Sequence, residues 1–172
     1  GLSGSTVTLL KDVATESAIN ISSGTLTLDL NGKHWNNTHS VGSGVLQLQG
    51  TSGNTVSLTV KDSIGGGSIT TVQQNTYSIF GYTDYSLTLA GGTYNNGIWS
   101  YVSNVGDLLA EGYVYRNSSD GMLVTDTSGN KISGVTVTPA PVKITAQPED
   151  IVAEPGYTAA PTLSVTAETV PA

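Results

Sequence analysis

His34 and His39 flank the segment Trp35-Asn36-Asn37-Thr38, and two imidazoles so placed could share a divalent metal. A protein metal site needs at least one further His, Cys, Asp or Glu at ligand spacing. No third ligand is recognisable, so both are read as solvated histidines of a polar loop and no metal is assigned. Serine is abundant, but neither histidine stands in a nucleophile-elbow or comparable motif, so no catalytic residue is assigned. Gly65-Gly66-Gly67 lacks the Lys-Ser/Thr and the helix onset of a phosphate loop and reads as a wide turn. No cofactor is implied. The remaining chemical signal is aromatic. Of eight Tyr, two Trp and one Phe, seven Tyr, Trp99 and Phe80 are concentrated between Tyr77 and Tyr115. Aligning Gly91-Gly92-Thr93-Tyr94 with Gly112-Tyr113-Val114-Tyr115 places Tyr94 and Tyr115 on adjacent strands as a ladder. Rings with a polar edge suit sugar faces, and Asn95, Asn96, Asn104 and Asn117 could supply hydrogen bonds. The candidate ligand-binding residues are therefore Trp99, Tyr101, Tyr94 and Tyr115. The competing reading is that stacked rings only stabilise the fold. For Trp99 and Tyr101 the face decides: with Ile98 in the core they form an outward platform, but if they follow Leu46 and Leu48 inward they are filler. Periodicity does not choose, because a one-residue slip reverses the face.

The elements that must position these rings are short alternating runs. Leu26-Thr27-Leu28-Asp29-Leu30, Val56-Ser57-Leu58-Thr59-Val60, Leu87-Thr88-Leu89, Leu108-Leu109-Ala110 and Val135-Thr136-Val137 recur with offsets of 30, 29, 21 and 27 when Leu28, Leu58, Leu87, Leu108 and Val135 are aligned. A second series, Val45-Leu46-Gln47-Leu48, Tyr77-Ser78-Ile79-Phe80, Ile98-Trp99-Ser100-Tyr101 and Met122-Leu123-Val124, lies between its members. Gly, Asn and Ser separate the runs, so each repeat turns at least twice before returning. One such repeat cannot bury its apolar face, whereas stacked repeats can, with strands ~4.8 Å apart. No stretch carries the 3.6-residue spacing of a crossover helix.

The segments Thr6-Val7-Thr8-Leu9-Leu10-Lys11-Asp12, Thr25-Leu26-Thr27-Leu28-Asp29-Leu30-Asn31-Gly32-Lys33 and Leu87-Thr88-Leu89-Ala90-Gly91-Gly92-Thr93-Tyr94 carry a resemblance. The chain resembles the right-handed parallel β-helices of pectin-lyase-like shape, in the cell-surface form common in Gram-positive gut bacteria. The repeats cover roughly Thr6 to Pro139. The fold expected is all-β, a right-handed parallel β-helix or solenoid of about five coils, with a short extended C-terminal tail. The resemblance also implies an extracellular location, at the cell surface or secreted. Fold alone does not fix chemistry.

Enzymes of that shape set carboxylates on neighbouring coils, and the alignment can be searched for them. With the leucines inward, one outward column reads Asp29, Thr59, Thr88, Leu109, Thr136 and the next Asn31, Lys61, Ala90, Glu111, Thr138. Neither pairs two acids on adjacent coils. Asp62 falls one position on, opposite Gly32 and Gly91. Arg116, near Glu111 and Asp120 in sequence, would polarise a uronate in a lyase; the plainer reading is a surface ion pair.

With 172 residues, 11% charged, and a net charge of -7, the chain offers no basic surface for nucleic acid, and cysteine is absent. No run of ~20 apolar residues is present, so no membrane insertion is expected. All six prolines lie from Pro139 onward. Proline cannot donate to a ladder, so the stack should end there. Residues 1–139 form the β-helix domain and 140–172 a linker with an incomplete immunoglobulin-like segment. Lys143 to Gly156 looks like the entry to a bacterial immunoglobulin-like domain, and Leu163-Ser164-Val165-Thr166-Ala167 is its next strand. So short a tail is not expected to fold alone. It should pack Ile144, Ile151 and Leu163 on the stack or pair with a second copy through residues 143–172. The expected function is a non-catalytic surface or adhesion module whose partner is a glycan or host surface. A truncated carbohydrate-active enzyme and a self-associating or protein-binding module are the alternatives.

Overall fold

The computed structural model describes residues 4–39, 42–146 and 165–169. Its first pass lays down β1 (Ser5–Thr8), β2 (Val13–Thr15) and β3 (Ile19–Ile21). The second pass gives β4 (Gly24–Asp29), β5 (His34–Asn37) and β6 (Gly44–Leu48). The third gives β7 (Val56–Lys61), β8 (Ser68–Thr71) and β9 (Tyr77–Gly81), and the fourth β10 (Tyr85–Ala90), β11 (Gly92–Tyr94) and β12 (Ile98–Ser100). Each pass adds one strand to each of three sheets. β1, β4, β7 and β10 form the first, β2, β5, β8 and β11 run through the second, and β3, β6, β9 and β12 through the third, all parallel. The fold is all-β, and among the described residues no helix is long and apolar enough to cross a membrane.

Alternation in sequence becomes alternation of burial. In β7, Val56, Leu58 and Val60 are buried while Ser57, Thr59 and Lys61 are half-exposed. Inward residues of all three sheets, among them Leu58, Ile69 and Ile79, join one apolar core. Full burial of each such side chain stabilises the fold by about 1.5–3 kcal/mol. Leu87 pairs with Leu58 as expected, but between β4 and β7 the register differs from the expected alignment by two residues: Leu26 pairs with Leu58, and Leu28 with Val60. A shift of two preserves the face, so the leucines are inward as expected although their partners differ. The same shift sets Asp29 beside Lys61 rather than Thr59.

Corners between the sheets use acidic side chains as acceptors for backbone amides. Asp62 accepts from Gly32 N on the preceding pass and from Gly67 N within its own turn, both at 2.7 Å. Asp29 accepts from Asn31 N and Ser63 N and meets the Lys61 ammonium at 3.3 Å. Burial pushes the Asp29 carboxyl up, but the Ser63, Asn31 and Lys61 hydrogen bonds outweigh it and hold it below the usual aspartate range. Gly65 and Gly66 take φ of +85° and +87°, which explains the glycine run as a turn.

The parallel series stops after the fourth pass. Leu108, expected as the fourth member of the aligned series, ends a 3-10 turn (Val105–Leu108), and a single parallel bridge from Leu89 to Leu109 extends the first sheet. β13 (Tyr113–Asn117), β14 (Lys131–Ile132) and β15 (Val135–Pro139) follow, and of these β14 and β15 run against the earlier strands. β15 is antiparallel to β11 and carries β13 on its other edge, while β14 is antiparallel to β12. The cause is local: residues 117–134 are rich in Ser, Asp, Asn and Gly and lack a sustained apolar alternation, so the chain loops and returns as hairpins. The added strands cover the edges of β11 and β12.

After Pro139, β16 (Val142–Ala146) pairs antiparallel with β17 (Thr166–Thr169) in a separate two-stranded sheet. β16 thus has a backbone partner within the same chain. The packing expected of the Ile144, Ile151 and Leu163 side chains lies outside the described residues.

Candidate functional site

Ile79 and Ile98 are fully buried on the inner side of β9 and β12. Alternation therefore turns their neighbours Phe80 and Trp99 outward, and the two are direct partners in the ladder. Tyr82 and Tyr101 follow at the strand ends, where Tyr82 N donates to Leu48 O at 2.8 Å and Tyr101 N to Gly81 O at 2.9 Å. Tyr77 opens β9. The five rings form one connected cluster. Trp99 stacks on Tyr101 at 5.4 Å and 11°, and Tyr82 lies parallel to Tyr101 at 6.3 Å and 9°. Phe80 contacts Tyr82 at 4.4 Å, and Tyr77 and Phe80 each meet Trp99 near-perpendicularly at 5.2 Å. Gly44 makes the space: a Cβ there would lie 2.6 Å from Phe80 Cβ.

Exposure is graded across the cluster. Phe80 is 4% exposed and Tyr101 58%, with Tyr77, Tyr82 and Trp99 between. The buried rings hold the outer ones by edge-to-face and offset packing. Trp99 Nε1 is shielded from solvent and has no hydrogen-bond acceptor among the described residues. The Tyr82 hydroxyl and Ser43 Oγ are 2.9 Å apart, tying the cluster to the turn before β6.

Beside Tyr101 lies a hollow of about 330 Å³ lined by Tyr101, Val102, Ser103, Asn104, Asp107 and Asn130. Ser100 Oγ accepts from the Tyr85 hydroxyl at 2.6 Å and from Ser103 N at 3.0 Å, which fixes the turn. Ser100 N donates to Asn130 O and Val105 N to Gly129 O, both at 2.8 Å, fixing the opposite wall.

Two of the four candidate residues are not at the surface. Tyr94 and Tyr115 are completely buried, so neither offers a face to a sugar. Nor are they adjacent, because β15 lies between β11 and β13. Their hydroxyls reach carbonyls instead: Tyr94 donates to Gly91 O at 2.9 Å and Tyr115 to Val105 O at 2.8 Å. Burial pushes both phenols up, Tyr94 further through the nearby Tyr115 and Asp62. They are core filler, as the structural reading of aromatic ladders expects. Trp99 and Tyr101 meet the condition for an outward platform, and Tyr77, Phe80 and Tyr82 join them. The spacing of Phe80 and Trp99 relative to Ile79 and Ile98 carried that information, but register was needed to read it.

Among the asparagines, Asn96 Oδ1 is occupied by Thr70 Oγ1 and Thr71 N. Asn104 lines the hollow. His34 lies in a strand, not a loop, because Trp35 and Asn37 alternate inward in β5. His34 Nδ1 and Ser68 Oγ are 2.9 Å apart. That is a nucleophile–base distance the sequence did not disclose, since the residues are on different passes. Ser68 is buried, however, and the nearby amides of Ser68 and Thr93 donate to Lys33 O and Gly67 O. Neither of these two amides is free for an oxyanion. His39 N donates to Asn37 Oδ1, and no group of three His, Asp or Glu gathers among the described residues.

Among the described residues Arg116 has no ion-pair partner; its Nη1 donates to Gly121 O at 3.0 Å. Asp62 stands opposite Gly91, as expected, but the shifted register aligns it with Leu30 rather than Gly32, whose amide its Oδ1 still accepts from. A larger cleft of about 490 Å³ runs along Lys61, Asp62, Gly91, Tyr113 and Thr138. Its charged groups, Lys61 and Asp62, already serve the corners, so its chemistry is spent on the fold. Thr138 Oγ1 is buried there without a partner among the described residues. The aromatic face is therefore the candidate site. Compared with known protein families, curated proteins and solved structures, the chain matches none of them.

Proposed function

We propose that the four passes wind as a right-handed parallel β-helix and that the chain is a non-catalytic extracellular surface module that binds glycan. The observation that carries the binding reading is the outward cluster of Trp99, Tyr101, Tyr82, Tyr77 and Phe80, with Tyr101 more than half exposed. A pyranose presents an apolar C–H face to a ring and hydroxyls at its edge, and a half-open aromatic face beside a polar hollow answers both. Pre-packed rings also lose little conformational freedom on binding. The cell-surface setting rests on the resemblance of the repeats.

The test is glycan-array binding of the full chain beside Tyr101→Ala and the double variant Trp99→Ala, Tyr101→Ala. Binding by the unaltered protein with at least a tenfold loss in Tyr101→Ala, at an unchanged melting temperature, is expected. If neither protein binds, or both bind alike, the platform reading is abandoned.

Self-association is a second reading, favoured by one observation. β1, β2 and β3 each have a strand neighbour on one side only, and Val7 and Ile19 are 39% and 40% exposed there. Open edges template further strands. Sedimentation velocity over a hundredfold concentration range should reveal a dimer that Val7→Lys abolishes; a monomer throughout would dispose of this reading.

A further inference from the structure

The hollow beside Tyr101 carries a deeper inference, which rests on the platform reading. Asn104, Asp107 and Asn130 are exposed, and none of the three side chains is engaged in a hydrogen bond or ion pair among the described residues. All three line the same space of about 330 Å³. Together they offer a carboxylate, which only accepts, and two amides, which both donate and accept. The walls are held by Ser100, Tyr85 and the backbone bonds to Gly129 and Asn130, so the groups are presented by a fixed turn. Tyr101 closes one side, continuous with the stacked rings of Trp99 and Tyr82.

We infer that this hollow is the specificity pocket of the glycan face and takes one uncharged monosaccharide unit through a pair of neighbouring hydroxyls. The size argument is direct: small-ligand pockets span about 300–1,000 Å³. This hollow lies at the bottom of that range, suiting a single pyranose rather than an oligosaccharide. The chemical argument concerns pairing. Each sugar hydroxyl donates once and accepts twice, so a hydroxyl that donates to Asp107 can still accept from an asparagine amide. The ring's apolar face then rests on Tyr101. Charge supplies the selectivity. Asp107 is the one charged residue lining the hollow, and the chain carries a net -7. A uronate or other acidic sugar would place its carboxylate beside Asp107 and be rejected. Lys131, opposite Trp99 in the ladder, is outside the lining and is the group that an acidic sugar would use instead.

The experiment uses the full chain with methyl glycosides of glucose, galactose, mannose and N-acetylglucosamine, and with methyl glucuronide. Saturation-transfer NMR and calorimetry read binding in the unaltered protein, Tyr101→Ala, Asp107→Ala, Asn104→Ala and Lys131→Ala. Loss of a charge-assisted hydrogen bond lowers affinity roughly tenfold or more. The expected result is binding of at least one neutral glycoside, abolished in Tyr101→Ala. It should weaken about tenfold in Asp107→Ala and less in Asn104→Ala, with thermal unfolding unchanged and glucuronide inert. If Tyr101→Ala abolishes binding while Asp107→Ala and Asn104→Ala bind normally, the pocket is refuted and the platform stands. Preference for glucuronide, lost in Lys131→Ala, also refutes the pocket. No binding of any sugar to the unaltered chain, on this panel and the array alike, removes both.

Discussion

Removing the ring of Tyr94 distinguishes core from site. Tyr94 is completely buried, packs among aliphatic core residues such as Leu89 and Ile98, and donates to Gly91 O at 2.9 Å. Tyr94→Ala removes a whole aromatic side chain from a close-packed interior, for which about 3–5 kcal/mol is the usual cost. Tyr94→Phe removes only the hydroxyl and costs about 0.5–1.5 kcal/mol. With a urea slope of about 1–3 kcal/mol/M, a loss of about 1 kcal/mol in Tyr94→Phe lowers the midpoint by roughly 0.3–1 M. Tyr94→Ala should lower it several-fold more or prevent folding. Far-UV circular dichroism against urea reads both, with Tyr101→Ala as the surface control, expected within about 1 kcal/mol of the parent. Alkaline titration adds an independent readout. The folded phenol titrates above its ordinary value of 10.0, so the unfolded chain loses this proton first as pH rises. The stability Tyr94 contributes is full below about pH 10 and declines above it. In Tyr94→Phe that part of the decline should vanish. A midpoint shift under about 0.3 M for Tyr94→Ala would refute the placement of this ring in the core.

Other outcomes follow from the corners and the site's support. Asp62→Ala strands the amides of Gly32 and Gly67 and should cost about 2–4 kcal/mol in urea unfolding, with Asp62→Asn intermediate because one acceptor oxygen remains. Asp29 titrates below its ordinary value of 3.8 when folded, so its contribution is present above about pH 4 and is lost as pH falls below it. Acid-unfolding curves of the parent and Asp29→Asn should converge at low pH. Gly44→Val would drive a side chain into Phe80, whose Cβ lies 2.6 Å from even a Cβ there. It should disturb near-ultraviolet circular dichroism of the aromatic cluster before it changes the far-ultraviolet strand signal.

The strand segments were legible because their apolar alternation is strong: Val56–Lys61 reads the same in sequence and in burial. Their exact partners were legible for Leu58 and Leu87 but not between β4 and β7, since a ladder of Leu, Val and Thr has nearly the same pattern after a shift of two. That is why Asp29 was set beside Thr59 and the Lys61 contact was missed. The reversal after Leu108 was illegible for a different reason. Val135-Thr136-Val137 alternates equally well in a parallel or an antiparallel strand, and the direction is decided by the loop before it. The sequence leaves Tyr94 and Tyr115 open between binding and packing because a tyrosine has one polar atom and carries no mark of whether a carbonyl or water will satisfy it. His34 and Ser68 met through lateral pairing, which no local motif encodes.

One physical rule connects the core to the candidate site. Each inward side chain in β9 and β12 exports its neighbour, so burying Ile79 and Ile98 obliges Phe80 and Trp99 to face outward. An outward aromatic pair is costly to leave bare, and here Tyr77, Tyr82 and Tyr101 crowd round it, leaving Phe80 almost wholly covered. Packing alone explains that inner part. It does not explain Tyr101, which stays 58% exposed at the lip of a polar hollow whose Asn104, Asp107 and Asn130 side chains make no hydrogen bond or ion pair among the described residues. A half-open ring beside polar groups that the described fold does not engage is where a binding function can reside with little cost to the stack.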